Sequence, residues 1–385
     1  MKTLKKQYFK IRILLILATH LVATPLIAGE RFEFFNGVRS LGMGGVSAAV
    51  VNDETALLAN PAALGKLRNY FVTVADPEVD VSADAERIVG TGILKFLDPQ
   101  QTLDAVEAFP GKRLHERVQV FPSFVVTNFG MGVFAKYVTD ASVDATSTTF
   151  TYDYTNDLAF VFGFNFRLFD GKIKLGVNGR AVNRVESHRT DIPVATNGLT
   201  HTTVIGSGTI ANEGLGVASD VGLILTGPWA FLPTIAFVYH DVGNTTYDVN
   251  NGMFLSTTDR PDPTPATLDV GLGIFPITGK GSRIAFSLEM VDVLDAKEPA
   301  DEEASDEVMR RLHGGIEFNF KDVFFLRGGM NQGYWTAGME LSMYNTQLQI
   351  ATYGEEVGDI VPAGSAATYT AVEDRRYVVK FAYRF

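Results

Sequence analysis

Residues 158–168 read Leu-Ala-Phe-Val-Phe-Gly-Phe-Asn-Phe-Arg-Leu. Leu158, Phe160, Phe162, Phe164, Phe166 and Leu168 share one face, and Ala159, Val161, Gly163, Asn165 and Arg167 share the other. A strand buried on one side only alternates in this way. Here the polar side also carries glycine, an amide and a charge, the pattern of a strand with lipid outside and a wet interior. The period returns along the chain. Ile173, Leu175 and Val177 alternate with Lys174, Gly176, Asn178 and Arg180. Ile284, Phe286, Leu288 and Met290 alternate with Arg283, Ala285, Ser287 and Glu289. Leu312, Gly314, Ile316 and Phe318 alternate with His313, Gly315, Glu317 and Asn319. A soluble antiparallel sandwich also alternates. Isolated charges would be costly in its dry core, however, and strands of about ten residues suit a tilted membrane crossing.

Fourteen such strands are predicted, near 69–76, 116–128, 130–140, 157–168, 172–184, 215–226, 231–241, 266–276, 282–293, 310–320, 322–330, 334–343, 346–353 and 375–385. Their connections alternate between tight (Phe169-Asp170-Gly171, Lys321, Tyr344-Asn345) and long (77–115, 141–156, 185–214, 242–265, 294–309, 354–374), and only Asn331-Gln332-Gly333 breaks the alternation. Outer-membrane barrels have short periplasmic turns and long external loops. The expected fold is therefore all-β, a transmembrane antiparallel β-barrel of about 14 strands, with both chain ends in the periplasm. The last strand places Tyr377, Val379, Phe381, Tyr383 and the terminal Phe385 on one face. Such an ending is similar to the signal read by the barrel-assembly machinery.

Composition agrees. The 385 residues are 46% hydrophobic and include 28 Phe and 13 Tyr. Past residue 28 no apolar run is long enough for a helical span. Lys2, Lys5, Lys6, Lys10 and Arg12 precede an apolar run from Ile13 to about Ala23, the pattern of a secretory signal peptide over 1–28. Loss of those five basic residues takes the formal charge from −11 to −16. So acidic a chain is no nucleic-acid binder. With no cysteine it has neither disulfides nor a thiolate metal site.

Between signal and strands lies RSLGMGGVSAAVVNDETALLANPAALG, residues 39–65. Gly42, Gly44 and Gly45 permit close backbone approach or positive φ. Asn52-Asp53-Glu54 is placed to cap a short helix through Ala56 to Ala59, and Asn60-Pro61 ends it. A compact coil-helix-turn ahead of a barrel reads as a plug, giving three parts: 1–28 signal, 29–68 hatch, 69–385 barrel. This stretch resembles the N-terminal hatch of the FadL-type outer-membrane transporter superfamily. A second block, RRLHGGIEFNF (310–320), FFLRGGMNQGYWTAGMEL (324–341), LQIATYGEEVGD (348–359) and EDRRYVVKFAYRF (373–385), is more similar to its PorV/UPF0164/TraF-like branch. The superfamily implies a plugged barrel of this size in a Gram-negative outer membrane. Its FadL branch implies passive uptake of hydrophobic molecules through a lateral opening. Its PorV branch implies a partner role in protein export or surface attachment. The hatch residues that match are Gly42, Gly44, Gly45, Asn60, Pro61 and Ala62; with Arg39 and Asp53 they are the expected gating set.

On the inward faces Lys174, Arg180, Asp269, Arg283, Glu289, His313, Glu317, Glu340 and Lys380 are expected to form lumenal charge ladders, or to hold the hatch through Arg39, Asp53 or Glu54. The structural role is the more economical, since buried charges need partners. Residues 82–107 read as one or two amphipathic helices over the barrel mouth or packed on their own loop, 185–214 as an exposed Thr/Ser/Gly/Asn-rich loop, and the acidic run 295–307 as a solvated loop rather than a lipopolysaccharide-bridging cation site. No G-x-S-x-G or H-E-x-x-H occurs. No Ser pairs with His240 by spacing, so no enzyme activity, cofactor or metal is expected. The first functional expectation is a channel for passive uptake of small, fatty-acid-like hydrophobic compounds. The alternative is a non-transporting accessory protein for secretion, surface attachment or conjugation. Outer-membrane lipid and lipopolysaccharide, a hydrophobic small molecule and a secretion partner are the partners to be tested.

Overall fold

The computed structural model describes residues 33–85, 99–144, 146–196, 198–200, 211–294, 296, 308–363, 366–370 and 372–385. The signal segment, the first residues of the hatch, residues 86–98 of the amphipathic stretch and nearly all of the acidic run lie outside them.

One antiparallel sheet closes on itself as fourteen strands in chain order. They are β1 (Phe71–Ala75, resuming Glu78–Ser82), β2 (Arg113–Val120, resuming Ser123–Val126), β3 (Phe129–Val143), β4 (Thr149–Leu168), β5 (Ile173–Pro193), β6 (Asn212–Thr226) and β7 (Thr234–His240). The second half comprises β8 (Thr267–Ile274, resuming Ile277–Gly279), β9 (Ser282–Met290), β10 (Leu312–Phe320), β11 (Phe324–Asn331), β12 (Tyr334–Met343), β13 (Thr346–Glu356) and β14 (Glu373–Arg384). Closure is by β14 on β1, with Val379 opposite Val79 and Arg384 opposite Thr73. A hairpin, Asp359–Ala363 with Ala366–Thr370, stands between β13 and β14. The three interruptions fall at Asp76-Pro77, Phe121-Pro122 and Phe275-Pro276, because proline has no N–H for the ladder.

All fourteen predicted strands are present, but β3 to β6 run further than the greasy pattern suggested. The 141–156 connection is mostly hairpin: β3 continues to Val143 and β4 begins at Thr149. In place of a simple exposed loop over 185–214, β5 reaches Pro193 and β6 resumes at Asn212. The extensions change character because protein, not lipid, covers their outer face. Ala141, Val143, Phe150, Tyr152 and Val185 pack there with Leu103 and Val106 of a helix, Pro99–Glu107. That helix, part of the predicted amphipathic stretch, lies on its own barrel wall.

Lower down the outer face is apolar and exposed: Phe160, Phe162, Phe164, Val221, Leu272, Phe286, Leu326, Ile350 and Phe381. Among the described residues no helix is long and apolar enough to cross a membrane; the crossing is made by strands. The interior holds Asp157, Asp220, Glu289 and Glu340, all buried. This is an outer-membrane type of barrel.

Candidate functional site: the occupied lumen

Residues 33–67 occupy the lumen. Helix α1 (Val38–Gly42) lies against β11 to β14, and α2 (Ala56–Ala59) with the 3-10 turn Pro61–Lys66 lies against β4 to β6. The segment therefore spans from one side of the barrel to the other. Glycine lets it approach the wall. Gly44 (φ +75°) is wedged against the Gly314 carbonyl and the Met330 backbone, where a Cβ would overlap both. On the opposite wall a Cβ on Gly176 would fall on the Pro61–Ala62 peptide. Gly42 meets Gly338, and Met43 meets Gly315 and Gly329.

Amides then satisfy the irregular backbone, as buried polar groups require. Asn60 accepts the Ala62 N–H at 3.0 Å and donates to the Ala48 carbonyl at 2.8 Å. Thus Asn60 both ends α2 and caps the turn that follows. Asn165 donates to the Ala62 carbonyl (3.0 Å) and Asn178 to the Leu57 carbonyl (2.8 Å). The predicted cap of α2 differs in detail. Thr55 is the N-cap, with no side-chain cap bond, and Asp53 accepts from the Thr55 N–H at 3.0 Å.

Charges provide the remaining anchors. Arg39 donates to Glu317 through Nε (3.0 Å) and Nη2 (2.8 Å) and pairs with Asp53 at 3.2 Å. Glu317 also accepts from Arg327 Nε at 2.7 Å, and Arg327 continues to Glu340. Burial opposes the Arg39 charge, but Glu317 and Asp53 more than offset it, and its pKa is raised. Burial likewise opposes the Asp53 carboxylate, yet Arg39 and the Thr55 hydroxyl hold its pKa down. Glu54 pairs with Arg384 (3.3 Å) and Lys380 (3.7 Å); burial, then the neighbouring Asp53, pushes its pKa up. Lys66 donates to the carbonyls of Ala49 (2.6 Å) and Val51 (3.2 Å). Burial, then Lys174 and Arg39, bring its pKa down to about 7.

Eight of the nine inward candidates are buried: Lys174, Arg180, Asp269, Glu289, His313, Glu317, Glu340 and Lys380. Glu289 accepts the N–H groups of Ser47 and Ala48 at 2.9 and 2.8 Å, and His313 donates to the Gly44 carbonyl at 2.9 Å. Arg180 joins Asp220 and Asp241, each at 2.9 Å. Asp269 lies 3.4 Å from His240, whose other nitrogen is 3.5 Å from Asp220. Lys174 donates to the Gly171 carbonyl near a tight turn. Arg283 departs from the expectation: it is half exposed beside a tight turn and pairs with Asp322, because its strand leaves the lumen there. Arg327, Arg384, Asp76, Asn165 and Asn178 were not singled out as site residues from sequence, whereas Asn60 was. Their signal was inward parity, which Asn165 and Asn178 display.

Between the segment and the long-loop end of the barrel lies a cavity of about 110 Å³. Its segment side presents Phe34, Phe35, Val38, Leu41, Val46 and Val50, and its wall side presents Arg180, His240, Asp269 and Arg310 among others. From Phe34 and Phe35 an aromatic path continues to the wall. Both rings contact Phe134 (centroids 5.1 and 5.7 Å), and Phe134 contacts Phe121 (6.2 Å). Phe121 stands at the break in β2, opposite the break in β1. Across this seam the register slips by one residue, with Thr73 facing Ser123 but Glu78 facing Gln119. Asp76 bridges it, accepting the Phe121 N–H at 2.5 Å and pairing with Lys380 at 3.1 Å.

A closed fourteen-stranded barrel with an apolar belt and an occupied lumen defines the class: a plugged β-barrel of outer-membrane type. No protein-family model and no curated relative matches the chain. Solved structures do. One is a TodX monoaromatic hydrocarbon channel deltaS2 mutant, 14% identical, covering 91% of this chain and 99% of its own, with a TM-score of 0.55. The P. putida toluene transporter TodX is 13% identical, with 91% and 98% coverage and a TM-score of 0.51. A second structure of the Pseudomonas putida TodX is 11% identical, with 94% and 100% coverage and a TM-score of 0.50. At such identities the likeness is one of fold.

Proposed function

We propose that this chain is an outer-membrane channel for passive uptake of small hydrophobic compounds, with residues 29–68 as its hatch and both chain ends in the periplasm. The observation that carries the reading is the aromatic path Phe34/Phe35–Phe134–Phe121, which joins the cavity to a seam where prolines interrupt two adjacent strands. A greasy molecule entering from the loop side would exchange contacts among rings rather than desolvate the ionic wall. It would leave sideways where the ladder is already broken. The fold likeness to hydrocarbon channels supports this direction. Gly42, Gly44, Gly45 and the Asn60-Pro61-Ala62 turn would take up the rearrangement, and Arg39 and Asp53 would latch it.

The close fit of the segment to both walls supports a second reading, a permanently stopped barrel serving as an accessory for secretion or surface attachment. The similarity of the C-terminal block to the PorV/UPF0164/TraF-like branch points the same way. Permeation through liposomes containing the purified barrel, with and without residues 29–65, decides between them. Selective passage of an alkane or aromatic probe over a small sugar supports uptake. An intact protein tight to every probe, with a non-selective pore on deletion, overturns it.

A further inference from the structure

Residues 249–258 form part of the long connection between β7 and β8. The connection first extends the wall: the Leu215 carbonyl accepts the Val249 N–H at 3.0 Å, and the Leu215 N–H donates to the Asn250 carbonyl at 3.4 Å. It then folds over the outer surface onto Glu213. Outward parity places Glu213 there, since Asp220, Gly222 and Ile224 of the same strand point inward and Val217 and Val221 face out, exposed.

The Glu213 carboxylate is fully buried and accepts four consecutive backbone N–H groups. Met253 and Phe254 donate to Oε1 at 2.8 and 2.7 Å, and Leu255 and Ser256 to Oε2 at 2.5 and 2.8 Å. Asn183 adds a fifth donor at 2.9 Å. Gly252 (φ +93°) passes so close that a Cβ would overlap the carboxyl group. Thr257 bonds the Glu213 backbone N–H at 2.7 Å, and Arg260 donates to its carbonyl at 3.2 Å.

This clamp fixes what the loop displays. Leu255 packs into the cluster on the outer wall, but Met253 and Phe254 remain 63% and 61% exposed. A loose loop would tuck two large apolar side chains away; a charge-assisted five-donor clamp holds them out. The exposed outward face of β6 ends at Val217, four residues from Glu213. That is about 13 Å along the strand and about 10 Å along the membrane normal at the usual tilt. Side chains hanging from such a height reach the boundary between headgroups and acyl chains.

We propose that this loop is a fixed foot seated on the outer leaflet, with Met253 and Phe254 inserted among lipid acyl chains at their headgroup end. The apolar belt then extends beyond the strands in this sector, next to the sector covered by the Pro99–Glu107 helix.

The test uses the full barrel in phosphatidylcholine vesicles brominated either near the headgroup or at mid-chain. Quenching of the native Trp229 and Trp335 first establishes that the barrel is inserted. In a Trp229→Phe, Trp335→Phe background, Phe254→Trp or, separately, Met253→Trp reports on the loop. The foot predicts blue-shifted emission and loss of roughly half the intensity with headgroup-proximal bromine, with less loss at mid-chain. Water-like emission unquenched in both variants overturns it. So does blue-shifted emission that no bromolipid quenches, which would put the residues against protein.

Discussion

Glu317 is the wall residue on which the first half of the lumenal segment should hang. It accepts three hydrogen bonds from two arginines, Arg39 of the segment and Arg327 of the neighbouring strand. Glu317→Gln removes the charge and turns one of the two acceptor oxygens into an amide donor, leaving Asp53 as the carboxylate paired with Arg39. Breaking a buried pair from one side costs about 3–5 kcal/mol. At 1.36 kcal/mol per decade that loosens docking by roughly a hundredfold to several thousandfold. Arg39→Gln should do less. Glu317 then keeps Arg327, and the loss is nearer the about 1.5–3 kcal/mol of charged hydrogen bonds. The reporters are the amides of Leu41, Met43 and Gly45, which bond within the segment to Gly37 O, Ser40 O and Ser40 O at 3.0, 2.9 and 2.8 Å. They become open to exchange when α1 leaves the wall. Hydrogen exchange in detergent, with heat-modifiable migration as the check on an intact barrel, should show them speeding up more in Glu317→Gln than in Arg39→Gln. Strand amides of β4 to β6 should not change in either. An equal or larger effect in Arg39→Gln, or acceleration confined to strand amides, would refute the argument.

The other expectations concern the second half of the segment and the exit route. Gly176→Val places a branched side chain on the Pro61–Ala62 peptide. It should displace the turn and raise small-solute conductance in planar bilayers, while Ala181→Val on the outer face of the same strand leaves it unchanged. Lys66 has a docked pKa of about 7 against 10.5 undocked, so docking disfavours its charged form. Docking is weakest below pH 7 and strengthens as pH rises from 7 towards 10.5. Protection factors of Ala56 to Asn60 should be higher near pH 9 than near pH 6, and Lys66→Met should flatten that difference; a profile unchanged by the substitution contradicts the assignment. Phe121→Gln puts an amide in the aromatic path and should lower aromatic-probe uptake by about tenfold, the scale of one lost apolar contact, with the barrel intact. Unaltered uptake would remove the seam from the route.

The barrel was legible because two independent periods coincide. A two-residue period in side-chain polarity marks the spans, and a two-strand period in connection length marks the sides. Where the outward face stops meeting lipid the first period fails, and there the sequence misled. Ala141 and Val143 face outward but pack against protein, so this end of their strand was read as part of a connection. The proline breaks were visible as dipeptides. That Asp76-Pro77 would lie beside Phe121-Pro122 depends on the pairing of β1 with β2 across a connection of some thirty residues, which local pattern does not supply.

The lumenal contents were legible in part, and for a physical reason that extends to other barrels. A wide pore can take any polar side chain at its inward positions, whereas a wall pressed against an occupying backbone must offer glycine or a carbonyl-seeking amide. Inward Gly176 meets the segment at Pro61 to Ala62, Gly222 at Asn60 and Ala62, Gly315 and Gly329 at Met43, and Gly338 at Gly42. Inward Asn165 and Asn178 reach the carbonyls of Ala62 and Leu57. These positions fall on two opposed sectors, β4–β6 and β10–β12, matching the two ends of the segment. The inward charges cannot be placed in this way, because an Arg or Glu reaches several partners and its choice is settled only by packing. Glycine on the inward face of a strand, where it lowers strand stability, is therefore the more informative residue. Its recurrence in both sectors records the track of the segment in the wall itself.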